Sequence, residues 1–276
     1  MNKLSTQQRI QVVSALVEGN SIRSTVRMTG VAKNTIVKLL VDLGEACGKY
    51  QDEVMRNLPC KRIQYDEVWA FCYSNQKNVP AEHKGEFGYG DVWTWTAIDA
   101  DTKLIPTWLV GLRDAECARA FIEDLAGRLS NRVQLTTDGL KLYLDAVEGG
   151  FGADIDYAML VKMYGNEKPG EARYGPAHCT GAKTLRIEGA PIMGDVSTSY
   201  VERQNPTMRM SMRRFTRLTN GFSKKVENLE AAIALHFMHY NFCRVHQTLR
   251  KTPAMAAGLA KYPWTLRDII DLLEKS

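Results

Sequence analysis

"QYDEVWAFCY", residues 64 to 73, is the stretch on which the fold turns. Aromatic, aliphatic and small residues occupy both faces, as in a strand buried on both sides, yet Asp66 and Glu67 stand in its middle, where an unpaired carboxylate is costly. Something must hold negative charge there. Downstream, residues 91–99 and 103–111 also have strand character and are joined by the turn-like "DADTK", so that with residues 62–73 they predict an antiparallel meander. Ala118, Phe121, Ile122, Leu125 and Leu129 recur at helical spacing and predict an amphipathic helix from about Asp114 to Leu129. "RVQLTTDG" reads as a short strand ending at Asp138, residues 140–148 as a helix, and "DIDYAMLVKMY" as a fifth strand.

Three strands followed by helix, strand, helix and strand is the element order of an RNase H-like α/β domain with a mixed five-stranded sheet. The expected catalytic unit runs over residues 62–240, with residues 165–197 read as an insertion or long loop because their signals are turn-rich and aperiodic. Ahead of it, residues 1–46 show three short helical runs. Ile10, Val13 and Val17 mark the first; Ser21 caps the second, with Ile22 and Val26; Gly30 turns the chain into a third, with Ile36, Leu39, Leu40 and Leu43 on one face. Lys33, Asn34, Thr35 and Lys38 point away from that face, as a helix-turn-helix recognition helix requires in a major groove. A plain three-helix cap on the next domain would share the periodicity but not the clustering of polar groups. Residues 47–61 are expected to be a polar linker, and 241–276 a C-terminal helical tail with an amphipathic segment at 264–274.

Composition limits the function classes. The 276 residues, 45% of them hydrophobic, are enough for a full core. No early apolar stretch has signal-peptide form and no run approaches the roughly 20 apolar residues that span a bilayer, so a cytoplasmic protein with no membrane partner is expected, and the family resemblance given below implies association with the nucleoid. The six cysteines form no C-x-x-C pair, which disfavours a disulfide scaffold or zinc finger. Charge is unevenly spread: the ends are basic and residues 61–200 are acidic, and Arg203 to Lys225 holds seven basic residues and no acidic one. A carboxylate-lined site with a polyanionic substrate gripped from both sides fits this pattern.

Three acids occupy telling places: Asp66 midway along the first strand, Asp138 at the end of the fourth, and Glu202 at the start of the helix after the insertion. In the RNase H-like arrangement the first and fourth strands are neighbours, so the three carboxylates converge. Converging carboxylates repel unless cations neutralise them, and hard oxygen ligands suit Mg²⁺ or Mn²⁺. Two such ions stabilise the attacking and leaving oxygens of a phosphoryl displacement. Glu67 faces the other side of the strand and reads as a supporting acid.

"DEVW" (66–69), "TDGL" (137–140), "YVERQN" (200–205) and "GFSKKVENL" (221–229) resemble the blocks of bacterial insertion-sequence transposases of the IS one family, a DDE transposase group. "HYNFCRVHQTLRKTPA" (239–254) is similar to the tail of many DDE transposases and integrases. The resemblance implies a recombinase that binds the terminal inverted repeats of its element, cleaves one strand to expose a 3′-OH, and joins it to target DNA. By motif, Asp66, Asp138 and Glu202 are then the metal-binding catalytic triad, and a homodimer or larger assembly is implied because two DNA ends are handled together. One departure stands out: many relatives carry a cysteine-rich zinc-binding segment before the helix-turn-helix, and here the helices come first.

The basic run supplies expected DNA contacts: Arg203, Arg209, Arg213, Arg214, Arg217, Lys224 and Lys225, with Asn205 beside the triad glutamate. His178, Cys179, His236 and His239 lack ligand-spaced partners and read as loop or packing residues; His246 is balanced between a structural role and DNA contact. Trp93, Trp95 and Trp108 read as core. Three rivals remain: a helix-turn-helix regulator with a ligand-sensing or dimerising domain, a catalytically silent domesticated transposase, and a metal-dependent nuclease without strand transfer.

Overall fold

A computed structural model of the chain describes residues 4–165, 179–216 and 220–274. Three helices open it: α1 (Thr6–Val17), α2 (Ile22–Thr29) and α3 (Lys33–Val54). Ser5 and Gln8 form a reciprocal capping box on α1, Ser21 caps α2, and Gly30, at φ +70°, ends α2 in the left-handed conformation that turns the chain into α3. α3 is continuous through position 46. A short third helix and a separate linker helix were expected; nothing between Gly44 and Gln51 breaks the hydrogen-bond ladder, and its inner face stays apolar through Ala46 and Cys47.

The sheet follows. β1 (Arg62–Cys72), β2 (Gly90–Asp99) and β3 (Trp108–Gly111) form the antiparallel meander; α4 (Ala115–Arg128), β4 (Gln134–Asp138), α5 (Leu142–Phe151) and β5 (Asp156–Tyr164) continue as the sequence predicts. β3 is shorter than expected, beginning at Trp108. A sixth strand, β6 (Cys179–Glu188), pairs antiparallel with β5. This corrects both the five-strand expectation and the reading of 165–197 as loop. Most of its residues on both faces are exposed, so the strand carries no burial-driven alternation to read.

Strand order is β3-β2-β1-β4-β5-β6, with β1, β4 and β5 parallel. The helices α6 (Ser199–Ser211) and α7 (Val226–Met238) come next, then a π-helical turn at His239–Cys243, α8 (Pro253–Ala256) and α9 (Leu266–Ile270). One side of the sheet is packed by Tyr65, Trp95, Phe121 and Tyr143, with α4 and α5 against it. α6 crosses the other side. Its first two free N–H groups, of Tyr200 and Val201, donate to Gln64 Oε1 on β1 at 2.8 and 3.3 Å. That bond seats the helix on the strand. A single apolar core runs from Val12 through the sheet to Leu272. No helix among the described residues is long and apolar enough to cross a membrane.

Candidate active site

β1 alternates its side chains, so Tyr65 and Glu67 enter the aromatic side while Gln64 and Asp66 face α6. The parallel ladder of β1 with β4 ends at Gln64 and Thr136; Asp66 and Asp138 lie two residues further along their strands, near enough for the Asp138 charge to act on the Asp66 carboxyl. Asp66 is only partly exposed. Its Oδ2 accepts from Asn205 Nδ2 at 2.8 Å and its Oδ1 from the Glu67 backbone N–H at 2.9 Å. Burial, followed by the charges of Glu67 and Asp138, lifts its carboxyl to about 7 despite those two bonds. Asp138 Oδ1 accepts from Leu140 N at 3.0 Å, an Asx turn that fixes the carboxylate at the strand end.

Glu67 is buried on the opposite face, where Arg113 Nε donates to it at 2.5 Å and Tyr143 donates its hydroxyl. Arg113 in turn lies over the Trp93 ring, 4.8 Å from its centroid. Burial raises the Glu67 carboxyl, while Tyr143 and Arg113 oppose the rise. The pair of acids that made residues 64–73 puzzling is thus split: one is closed into an ion pair, the other faces α6.

Glu202 sits in the first turn of α6 with its side chain about a third exposed. Thr198 donates to its Oε1, and Lys162 Nζ, from β5, lies 2.6 Å from its Oε2. Among the described residues no three acidic, histidine or cysteine side chains are close enough to hold a metal ion together. The expected three-carboxylate convergence is therefore not formed: Asp66 and Asp138 are brought together, and Glu202 is turned to a lysine. Pro206, four residues on, has no N–H to return to the Glu202 carbonyl, which loosens the helix at that turn.

The residues around Asp66 nevertheless suit a hard cation. Asn205 Oδ1, Thr94 Oγ1 and Thr96 Oγ1 are buried without hydrogen-bond partners, and Thr96 is the cross-strand neighbour of Asp66. Unpaired buried oxygens next to an undercompensated carboxylate are the donor chemistry Mg²⁺ and Mn²⁺ take. Gln64 and Lys162 went unnoticed in the sequence; the alternation of β1, which puts Gln64 on the face of Asp66, was the signal for the first.

The expected DNA contacts are scattered. Lys33, Asn34 and Thr35 are exposed on the first turn of α3; Lys38 is exposed too, with both Asp42 oxygens at 2.9 Å. Arg213 and Lys225 are exposed, and Arg209 is half-buried. Arg214 turns inward, its Nε donating to Ser223 at 2.7 Å, and burial lowers its guanidinium to about 10. Lys224 donates to the Tyr73 carbonyl at 2.9 Å and stands over the Phe222 ring. Arg217 and His178 lie outside the described residues. His236 is buried against Phe237 and held neutral, its pKa lowered to about 3 by burial. Trp95 is fully buried, with its Nε1 donating to Leu112 O at 3.1 Å.

No protein-family model and no curated relative matches the chain. It is similar to a solved structure described as a cryo-EM structure of a piggyBac transposase synaptic complex with hairpin DNA. The TM-score is 0.44 and the identity 10%, over 99% of this chain and 73% of that one.

Proposed function

We propose that this chain is a DNA transposase of an insertion sequence, with an RNase H-like catalytic core and a helix-turn-helix in residues 1–46 that binds terminal inverted repeats. The observation that carries the reading is the register that sets Asp66 beside Asp138 beneath the helix bearing Glu202 and Asn205. The strand order, with an antiparallel meander joined through β1 to parallel β4 and β5, supports the RNase H-like assignment.

In this reading Asp66, Asp138 and Glu202 would hold Mg²⁺ or Mn²⁺, two ions when the site is complete, with Glu202 freed from Lys162. Bound cations supply the charge neutralisation that the attacking and leaving oxygens of phosphoryl transfer require. The chain's own residues do the positioning. Asn205 orients the Asp66 carboxylate, the Asx turn holds Asp138, and Thr198 steadies Glu202. Lys162 keeps the glutamate charge compensated. Exposed Lys33, Asn34, Thr35, Arg213 and Lys225 supply DNA contacts, and two chains or more cooperate on paired ends.

One observation favours a silent derivative: Glu202 already has a cationic partner. The test separates the two. Purified protein is incubated with Mg²⁺ or Mn²⁺ and labelled DNA carrying the ends that flank its coding region, and nicking and strand joining are scored on a gel. The transposase reading expects metal-dependent joining that Asp66→Asn, Asp138→Asn or Glu202→Gln each abolishes while DNA binding persists. Binding with no chemistry under any metal identifies a silent protein or a regulator.

A further inference from the structure

α6 carries three stripes at helical spacing. Val201, Gln204 and Met208 are buried toward the sheet; Glu202 and Asn205 form the acidic flank described above; Tyr200, Arg203, Thr207 and Met210 form the opposite flank. That opposite flank lines a cleft of about 770 Å³, whose far wall is the chain from Tyr240 to Leu249. Its volume lies in the range that encloses a small ligand or a few nucleotides, far below what a duplex needs.

The cleft is cationic. Lys103, Arg203 and Arg244 line it, and among the described residues none of the three is in an ion pair. Its carboxylate, Asp101, is taken by Arg62, which also bonds Asp195 at 3.1 Å. The imidazole of His246 is held neutral by burial and by those three cations, and its Nδ1 is buried with no partner. Like charges gathered without a counter-charge mark a place for an anion.

The cleft is also aromatic. Tyr200 lines it and is 41% exposed. The Lys103 ammonium lies 3.1 Å from its ring centroid. Lys103 holds this place from a left-handed turn position, φ +62°, that glycine would adopt without strain. Lys103 is itself buried and its ammonium also donates to the Ala100 carbonyl, which fixes the charge against the Tyr200 ring.

We infer that this cleft binds a single DNA strand, with backbone phosphates on Arg203 and Arg244 and one base stacked on Tyr200. Resting on the transposase reading, the strand is the one separated from the duplex beside the cleavage point: α6 presents Glu202 to the bond being cut and its basic flank to the freed strand. Stacking on an aromatic ring tolerates any base, which suits a strand whose sequence changes with the target.

The test uses the full-length protein in EDTA, so that catalysis plays no part, with fluorescein-labelled dT12 followed by anisotropy and a 12-base-pair duplex and inorganic pyrophosphate as competitors. Tyr200→Leu is expected to weaken dT12 binding on the order of tenfold with an unchanged salt slope, and Tyr200→Phe to restore it. Arg203→Ala with Arg244→Ala is expected to reduce the slope of log affinity against log salt by about 1.4, two phosphates at about 0.7 each. Each variant is accepted only with a wild-type thermal transition. No dT12 binding by the wild type, or Tyr200→Leu binding dT12 as the wild type does, overturns the inference. So does equal loss of dT12 and duplex affinity in all variants, which would make this a general duplex surface; pyrophosphate competing as well as the oligonucleotide would reduce it to a phosphate site. Failure of strand transfer in the earlier assay leaves this measurement standing, so the two readings fail separately.

Discussion

Asp66 is held at a pKa of about 7, well above the roughly 3.9 of an aspartate in an unfolded chain. Between those values the folded state binds the proton more tightly than the unfolded one. Stability therefore falls as pH rises through that window, and the full penalty is present above pH 7. Asparagine at this position carries no charge and its side-chain carbonyl still accepts from Asn205. Asp66→Asn is expected to raise Tm by about 2–4 °C at pH 8 and to leave it unchanged at pH 4, measured by calorimetry. A gain equal at both pH values would show that charge is not the cause. The sequence marked Asp66 because a carboxylate stood in a two-sided apolar strand, and Asp138 because it ended the strand expected alongside. Lys162 could not be found that way: it is a lone cation in an ordinary strand until β5 is paired with β4 and α6 crosses above.

Among the helices, α3 and α7 meet most extensively. A Cβ built on Gly44 would lie 2.4 Å from Ala231 Cα, a backbone atom that cannot move aside. Gly44→Ala is expected to push the helices apart and lower stability by about 1–3 kcal/mol, against a helix-propensity gain of about 1 kcal/mol. Gly48, one turn on, has nothing within 4 Å of its built Cβ, and Gly48→Ala is expected to be neutral or stabilising by up to about 1 kcal/mol. Thermal melts of the two variants side by side check the contact; a loss shared by both would point to the helix rather than the interface. Element identity was legible where burial left a mark: α4 from the helical spacing of its apolar face, β1 from an apolar run on both of its faces. β6 was not, since water meets both its faces, and the break expected near residue 46 was not found because polarity rises there without any change in the helix.

At the scale of the molecule, Asn241 ties three distant segments. Its Oδ1 accepts from Ile105 N and its Nδ2 donates to Ile105 O, both at 3.0 Å, and Nδ2 reaches Gln51 Oε1 at 3.4 Å. Gln51 itself donates to Ala234 O at 3.2 Å. Asn241→Ala strands buried donors and acceptors on α3 and on the β2–β3 connection, and is expected to cost on the order of 2–4 kcal/mol. Because one core spans these segments, urea unfolding followed by near-ultraviolet and far-ultraviolet signals is expected to shift as one transition. A separate transition for the first three helices would mean that they fold alone. The sequence by itself determined the order of the elements from β1 to β5, the positions of Asp66, Asp138 and Glu202, and the basic run around α6, because periodicity and local charge are properties of neighbouring residues. Only the tertiary structure decided that Glu67 closes on Arg113 and Tyr143, that Glu202 faces Lys162, and that Tyr200, Arg203, Lys103 and Arg244 share one cleft. Those pairings join residues tens of positions apart, and they exist only once strand register and the seat of α6 have brought the side chains within contact distance.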